Sequence, residues 1–401
     1  MRIGLVCPYS FDAPGGVQNH VLGLARQLAR AGHQPHILAP GLFPELVEGR
    51  REAAGRVEFT SAGQAIAVPY NGSIARVNFG PLSATRVRRW LRAGDFDLVH
   101  IHEPITPSIA LLALWAADVP VVATFHTATP RSRTMQLAGG ALRASIEKID
   151  AGIAVSESAR RVVVHHLGRD AMVIPNGFDF AAFAPPPPEK WAQTTATRRV
   201  NLSPPPSFPR SRRPRVTFLG RVDEPRKGLD VLLRALPAIR AGLGDVDVVV
   251  AGQGSIPAPA GVRLLGAISD EDKAQLLRGS DVFVAPHRER ESFGIVLLEA
   301  MAAGASVVAS ALPAFADLLR PADLLRTEGG SDPLGELVPI GDASALAEAV
   351  LATVRRPPPG RTARARERAR RYDWSEVAPA ITAVYHATLA TTAPTRRVIA
   401  T

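Results

Sequence analysis

The chain has 401 residues, 46% apolar and 21% charged, which supports sizeable packed cores and excludes a disordered or collagen-like polypeptide. Its formal charge is +10, and Lys148, Lys190, Lys227 and Lys273 are the only lysines among 47 basic residues; arginine this abundant reflects either biased composition or anionic partners such as phosphates, acidic lipid headgroups or nucleic acid. Cys7 is the sole cysteine, so a disulfide within the chain is excluded and a reducing cytoplasm fits.

Residues 2–7 read as a strand with no apolar signal core behind it. Residues 17–31 follow as a helix and 36–39 as a strand. Further strands are expected at 98–102, 119–124, 151–155 and 172–174, with helical patterns between them. The longest apolar run, 109–122, is broken by Asp118 and Pro120, short of the ~18 uninterrupted residues a membrane span needs. Near-continuous Val/Ile/Leu strands separated by helices indicate a parallel sheet covered on both faces. Prolines at 185–188 and 204–206 frame a polar stretch that ends at Pro214 and cannot build a core, so 185–214 reads as a linker. A second α/β series follows: strand 216–219, helix 228–239, strands 246–251 and 282–285, helix 294–303 and strand 306–309. Residues 374–389 read as a last helix, and the small, polar tail after Ala390 as mobile. The expected domains are 1–184, the linker 185–214, a second domain 215–373, a closing helix 374–390 and a tail 391–401. Two such doubly wound sheets joined by a linker imply a cleft at their strands' carboxyl ends.

Five places carry polar groups suited to chemistry. Glu299 sits inside an apolar helical run, where a carboxylate needs a partner; the two hydroxyls of a ribose or sugar diol would serve. Ser292, Phe293 and Gly294 open that helix, whose free N–H groups favour a phosphate, and Glu291 just precedes them. Arg221 and Lys227 flank a Pro/Gly turn after a strand, an arrangement suited to a diphosphate or simply to solvent. Gly15 and Gly16 open the first helix and would let backbone approach a phosphate or sugar, or form an ordinary turn. His126, at a strand's carboxyl end, could donate a hydrogen bond to a transferred sugar. His100 and His102 share one strand face, yet no third ligand has metal-site spacing, so no metal is expected. Within residues 70–93, Ala84, Val87, Trp90 and Leu91 fall on one helical arc, with Arg86, Arg88, Arg89 and Arg92 on the remainder. That pattern suits packing on the parent domain or an anionic membrane surface.

Glu291 and Glu299, eight apart and followed by Ala-Met-Ala-Ala-Gly, resemble the Glu-x7-Glu motif of retaining glycosyltransferases of family 4, which have the GT-B fold of two Rossmann-like domains. Cys-Pro-Tyr-Ser-Phe-Asp-Ala-Pro-Gly-Gly-Val-Gln, Pro-Tyr-Asn-Gly-Ser-Ile-Ala-Arg, Val-His-Ile-His-Glu-Pro, Ala-Thr-Phe-His-Thr, Gly-Arg-Val-Asp-Glu-Pro-Arg-Lys-Gly and Tyr-Asp-Trp-Ser are similar to the actinobacterial phosphatidylinositol mannosyltransferases that add a first mannose. The resemblance implies GDP-mannose as donor and phosphatidylinositol as acceptor, with transfer to the inositol 2-position and retention of configuration. It also implies a peripheral enzyme on the inner face of the plasma membrane, with no prosthetic group and no nucleic-acid partner. On matching positions, Arg221 and Lys227 would bind the diphosphate, Glu291 the mannose hydroxyls and Glu299 the ribose. Gly16 would line the diphosphate and His126 would approach the mannose. Tyr9, Gln18, Asn71, Ser73 and Arg76 would surround the inositol phosphate, and the helix bearing Arg86, Arg88, Arg89, Trp90 and Arg92 would dock on anionic lipid. The final helix would cross back onto the first domain. Arg288-Glu289-Arg290 stands where the family has a glycine-rich approach to the first glutamate. Alternatives from other classes are a family 4 transferase with another donor or a soluble acceptor, a GT-B sugar-nucleotide epimerase, and a non-catalytic protein that binds anions or nucleic acid.

Overall fold

The computed structural model describes residues 1–13, 15–42, 57–70, 73–127, 144–185, 213–257, 259–289, 291–320 and 332–399, without the side chains of 69, 70, 73, 74 and 393–399. The chain forms two compact units, Met1–Phe178 with Trp374–Thr401, and Asp179–Asp373.

In chain order the first unit contains β1 (Arg2–Val6), α1 (Gly16–Arg30), β2 (Gln34–Ala39), β3 (Glu58–Ser61), β4 (Ile66–Tyr70), β5 (Ser73–Val77), α2 (Pro81–Gly94), β6 (Leu98–His102), α3 (Ile109–Ala116), β7 (Val121–Phe125), β8 (Ala151–Ala154), α4 (Glu157–Leu167) and β9 (Met172–Val173). The second contains α5 (Phe180–Phe183), β10 (Arg215–Leu219), a 3-10 turn (Pro225–Lys227), α6 (Leu229–Leu243), β11 (Asp247–Ala251), β12 (Val262–Leu264), α7 (Asp270–Arg278), β13 (Val282–Ala285), α8 (Ile295–Ala303), β14 (Ser306–Ser310), α9 (Pro313–Leu319), β15 (Glu336–Val338), α10 (Ala343–Arg355) and α11 (Arg361–Arg370). The last helix, α12 (Trp374–Ile399), returns to the first unit.

The large sheets run β3-β2-β1-β6-β7-β8-β9 and β12-β11-β10-β13-β14-β15. Every pairing in them is parallel. Their central strands are buried along their length, as layers covered by helices on both faces must be. The winding reverses between β1 and β6 in one sheet and between β10 and β13 in the other. At such reversals the loops diverge and leave a crevice at the strands' carboxyl ends.

The structure departs from the sequence-based boundaries in three places. The unit boundary falls at Phe178/Asp179, earlier than residue 184. Phe180 and Phe183 of α5 are buried in the second unit, under the Arg370 guanidinium (4.7 Å) and Lys273 ammonium (5.1 Å). The greater part of the proline-rich stretch, 186–212, lies outside the described residues. Part of the segment 70–93 is extended: β4 and β5 form an antiparallel hairpin in which Ile66 faces Val77 and Tyr70 faces Ser73. Finally, α12 continues past Ala390 as far as Ile399. There Thr388 and Thr391 return their hydroxyls to the Val384 and Ala387 carbonyls at 2.8 and 3.1 Å, so these polar side chains are accommodated within the helix.

Helix α12 completes the first unit's core. Trp374, Ile381 and Tyr385 pack with Ile3, Leu5, Leu24 and Leu28. A Cβ at Gly23 or Gly177 would come within 2.5 and 2.4 Å of the Trp374 indole, so both positions require glycine.

Candidate active site

In the second unit the polar cluster lies where the winding reverses. Strand β10 leads through Gly220 and Arg221 into the 3-10 turn that ends at Lys227, and β13 leads through Pro286 to His287. Gly228 joins them: it has φ +71°, and a Cβ there would sit 1.9 Å from the Pro286 carbonyl oxygen. The close approach brings Lys227 Nζ to 3.0 Å from Glu291 Oε2 and His287 Nδ1 to 2.8 Å from the same oxygen. Burial alone would raise the Glu291 pKa; the Lys227 ammonium and the His287 hydrogen bond outweigh it and hold the carboxyl well below its usual range. His287 is buried, and that burial, reinforced by Lys227, lowers its pKa and keeps the imidazole neutral. Lys227 donates one of its three N–H groups to Glu291, leaving two for anionic oxygens.

Gly294 caps α8 with φ +100°, and a Cβ there would meet Phe315 at 2.8 Å. The first turn of α8 has neither a capping side chain nor an acidic residue, so its N–H groups remain oriented for an anion. Ser292 precedes this turn, and the Phe293 ring is buried edge-on to Tyr372, 5.8 Å between centroids. Glu299, on α8, is 7% exposed and accepts 2.7 Å from Lys273 Nζ. Burial raises the Glu299 pKa and Lys273 opposes it, while Glu299 and Asp270 raise Lys273 against its own desolvation. Lys273 lies on α7, distant in sequence, and no local pattern marks it as the partner Glu299 requires.

Arg221 is half-exposed and pairs with Asp223 at 3.1 Å. The segment before Glu291 is pinned: Arg288 pairs with Asp230, and its N–H donates to the Arg226 carbonyl at 2.8 Å. Arg290 lies outside the described residues.

In the first unit the corresponding reversal gathers neutral groups. Gly16 is the first residue of α1, and nothing lies within 4 Å of a Cβ built there. The first turn of α1 also has no capping side chain and no acidic residue. Gln18 donates its Nε2 hydrogens to the Ser10 and Ala13 carbonyls at 3.0 and 3.2 Å, which holds the loop before α1 in shape. Tyr9 forms an isolated bridge to Val77, and Ser10 N donates to the Arg76 carbonyl at 2.9 Å, tying this loop to β5. The Arg76 side chain is exposed. Asn71 and the Ser73 side chain lie outside the described residues.

His126 follows β7. Its backbone N–H donates to Glu103 Oε1 at 2.6 Å, and its Nε2 lies 3.0 Å from His102 Nδ1. His100 bonds the Tyr385 hydroxyl of α12 at 2.7 Å and the Thr124 hydroxyl at 2.6 Å. Burial holds the His100 pKa down at about 3 and drives His102 and His126 well below their usual value, so these rings are neutral. His20, on α1, completes the group: one ring nitrogen from each of His20, His102 and His126 lies within 4.8 Å of the others. His20 reaches the site from a helix far upstream, so sequence spacing alone shows no third histidine for His100 and His102.

The helix proposed for lipid docking is α2, and the structure corrects its inward face. Trp90 is 4% exposed, packs at a tilt against Phe96 with ring centroids 4.5 Å apart, and contacts β1 so closely that a Cβ on Gly4 would lie 2.6 Å from it. The apolar arc therefore packs on the domain, and Trp90 is a core residue. Arg86 donates to the Ala62 carbonyl at 3.0 Å, which makes it a tether to the neighbouring loop. Arg88, Arg89 and Arg92 remain exposed. Nearby, Phe79 and Trp115 meet edge to face at 6.3 Å while both rings stay half-exposed, and Leu82 is 75% exposed. None of the described helices is long and apolar enough to cross a membrane.

Two parallel Rossmann-like sheets, a paired Glu-x7-Glu motif and uncapped helix starts at both reversals define a GT-B glycosyltransferase. Family models match the chain in both halves: Glycosyltransferase Family 4 over residues 14–182 and Glycosyl transferases group 1 over residues 213–356. The chain belongs to glycosyltransferase family 4. It is 45% identical over 387 residues to a phosphatidyl-myo-inositol mannosyltransferase of Propionibacterium freudenreichii subsp. shermanii, covering 96% of this chain and 94% of that one. It is also 45% identical over 399 residues to the phosphatidyl-myo-inositol mannosyltransferase of Mycolicibacterium smegmatis, covering 96% and 93%. A crystal structure of a glycosyltransferase from Rickettsia africae ESF-5 shares the fold, with a TM-score of 0.70 at 17% identity over 96% of this chain and 98% of that one.

Proposed function

We propose that the protein transfers mannose from GDP-mannose to the inositol 2-position of phosphatidylinositol, with retention of configuration, on the inner face of the plasma membrane. The acidic pair held by lysines at the second unit's reversal supports sugar-nucleotide transfer. Identity of 45% across nearly the whole chain to proteins named phosphatidyl-myo-inositol mannosyltransferase supports the choice of sugar and acceptor.

Lys227 turns its two remaining N–H groups to the diphosphate, and Arg221 adds a planar fork that can grip it bidentately. Glu291, fixed as a carboxylate by Lys227 and His287, accepts from the mannose hydroxyls. Glu299 keeps one oxygen on Lys273 and turns the other to the ribose diol. The α8 N-terminus faces negative charge as it develops on the leaving group. The bond from the anomeric carbon to the phosphate oxygen breaks, and the inositol hydroxyl oxygen bonds to the same face of that carbon. The hydroxyl proton passes to the departing diphosphate, so atoms and charge balance without a protein nucleophile.

On the acceptor side, the loop of Tyr9 and Ser10, clamped by Gln18 and joined to β5 at Arg76, meets the inositol phosphate together with Asn71 and Ser73. Gly16 leaves the α1 N-terminus open to phosphate, and the neutral His126 donates a hydrogen bond towards the mannose. Exposed Arg88, Arg89 and Arg92 bring α2 to anionic lipid, beside the apolar tips of Phe79, Leu82 and Trp115.

The test crosses GDP-mannose and UDP-sugars with phosphatidylinositol vesicles and soluble inositol phosphates. Labelled mannose should appear on the lipid only with GDP-mannose. Transfer confined to a soluble acceptor would contradict the lipid assignment, and turnover confined to a UDP-sugar would contradict the donor. Donor breakdown without acceptor would indicate an epimerase or hydrolase instead.

A further inference from the structure

Strands β6 and β7 carry two diagonal rungs of side chains on one face. His100 is paired in register with Val122 and bonds the Thr124 hydroxyl, two residues on. His102 is paired with Thr124 and bonds His126, again two residues on. The first rung is closed at both ends, because His100 also bonds the Tyr385 hydroxyl. The second is not: His102 Nδ1 lies 3.0 Å from His126 Nε2, while its own Nε2 is buried with no hydrogen-bond partner among the described residues. The His102 ring is wedged between its neighbours, with centroids 4.3 Å from His100 and 5.3 Å from His126. His20 closes one side at 5.5 Å and bonds neither ring. The next residue, Glu103, is buried and holds φ +51°, a region that residues other than glycine avoid. Its carboxylate accepts from the His126 backbone N–H at 2.6 Å and from the Thr127 hydroxyl at 2.9 Å. Two consecutive residues therefore hold His126, Glu103 by the backbone and His102 by the ring.

We propose that His102 is the positioning residue for His126. Its Nδ1–H donates to His126 Nε2, which leaves His126 a single ring N–H, on Nδ1, and fixes the edge from which it bonds the mannose hydroxyls. The inference deepens the mannose-transfer reading and rests on it. A neutral imidazole has one donor and one acceptor nitrogen, so the 3.0 Å bond admits two arrangements. In the arrangement proposed, only the His102 Nε2 lone pair is idle. In the other, that buried Nε2 carries a hydrogen with no acceptor among the described residues. His126 would then spend its only N–H on His102, leaving none for a sugar or for the buried, unpartnered Asn176 Oδ1 beside it. A stranded N–H is the rarer and costlier defect, because burial removes the water that would accept it. Burial also keeps both rings neutral, so neither donates from both nitrogens. Without His102, the His126 ring could turn over or move its proton to Nε2, and either change takes the donor away from the sugar. His102 itself touches no substrate; it acts through His126.

The test uses the full chain, labelled with ¹⁵N-histidine for NMR and unlabelled for kinetics. Two-bond ¹H–¹⁵N correlations report which ring nitrogen carries hydrogen, and the spectrum of His126→Gln identifies the His126 signals by their loss. Wild-type His126 should be the Nδ1–H tautomer. Mannose transfer from GDP-mannose to phosphatidylinositol vesicles is measured in parallel for two variants. His102→Phe keeps an aromatic ring but has no N–H; it should lower kcat by about 100-fold and release His126 from a single tautomer. His102→Asn places an amide N–H near the Nδ1 position; it should recover most of the loss and restore the Nδ1–H tautomer. Circular dichroism checks that each variant folds. An Nε2–H tautomer of His126 in wild type, unchanged kcat in folded His102→Phe, or His102→Asn no better than His102→Phe would overturn the proposal. The NMR measurement needs no substrate. Wild type that transfers no mannose therefore contradicts the function assigned above, whereas the wrong tautomer in an active enzyme contradicts only the role of His102.

Discussion

The two sheets place polar clusters at the same topological position but set them to opposite electrostatic states. At the β10/β13 reversal, Lys227 and Lys273 hold Glu291 and Glu299 in ion pairs. At the β1/β6 reversal, imidazoles meet imidazoles, and burial keeps them neutral. The difference follows from partners rather than from depth: Glu103 is as buried as Glu299, yet it is satisfied by neutral donors, the His126 N–H and the Thr127 hydroxyl. A charged crevice that keeps unused N–H groups suits a diphosphate. A neutral one suits hydroxyl groups.

The largest expected effect breaks the charged cluster. Glu291→Gln should lower kcat by about 10³-fold, because it removes the sugar-facing carboxylate and releases Lys227 and His287 from their shared partner. Steady-state kinetics checks this, with circular dichroism to confirm folding. Next, Lys273→Met should cost about 3–5 kcal/mol in urea unfolding, since Glu299 would be left as an uncompensated buried charge. Lys227→Met should cost clearly less stability, because Glu291 keeps His287 and is 19% exposed. Equal costs would mean that the two glutamates do not differ in the way their burial and remaining partners indicate.

Within the first unit the contrast runs between the two faces of α2. Trp90→Ala should cost about 3–5 kcal/mol by leaving a cavity against Phe96 and Gly4. Arg88→Glu/Arg89→Glu should stay within about 0.5 kcal/mol of wild type, while losing binding to anionic vesicles in a sedimentation assay. If the charge reversal unfolds the protein, the outward face has been misassigned. The smallest effect concerns pH. The folded Glu291 pKa lies below its unfolded value, so the stabilisation it provides is complete above the ordinary carboxylate range, declines as pH falls through that range and is lost once pH passes the lowered value. Between pH 5 and pH 8, kcat/KM should therefore show no acid limb from Glu291. Its profile should keep the same shape in Glu291→Gln despite the lower height.

Much of the α/β alternation was legible because parallel strands buried on both faces leave long apolar runs, and Leu98–His102 and Val282–Ala285 were located to the residue. The acidic pair was legible because a glutamate within Val-Leu-Leu-Glu-Ala-Met-Ala demands an explanation. Lys227 was legible as a cation at a strand-to-helix turn, but nothing in local spacing ties Lys273 to Glu299, and that link exists only once α7 packs on α8. The same holds for His20, brought to His102 and His126 by tertiary packing alone. On α2 the arc of apolar residues was read correctly, but periodicity does not say which surface an arc covers, and Trp90 turned inward. The hairpin of β4 and β5 carried a signal that went unused, an Asn-Gly pair between short runs of β-forming residues.

The most direct test of the division of labour between the carboxylates is calorimetric titration of GDP and GDP-mannose into wild type, Glu291→Gln and Glu299→Gln. Glu291→Gln should weaken GDP-mannose while GDP binds no more weakly than before, since only the sugar loses a partner. Glu299→Gln should weaken both ligands in the same proportion, since both carry the ribose. Equal losses for both ligands in Glu291→Gln would contradict the assignment of that carboxylate to the sugar.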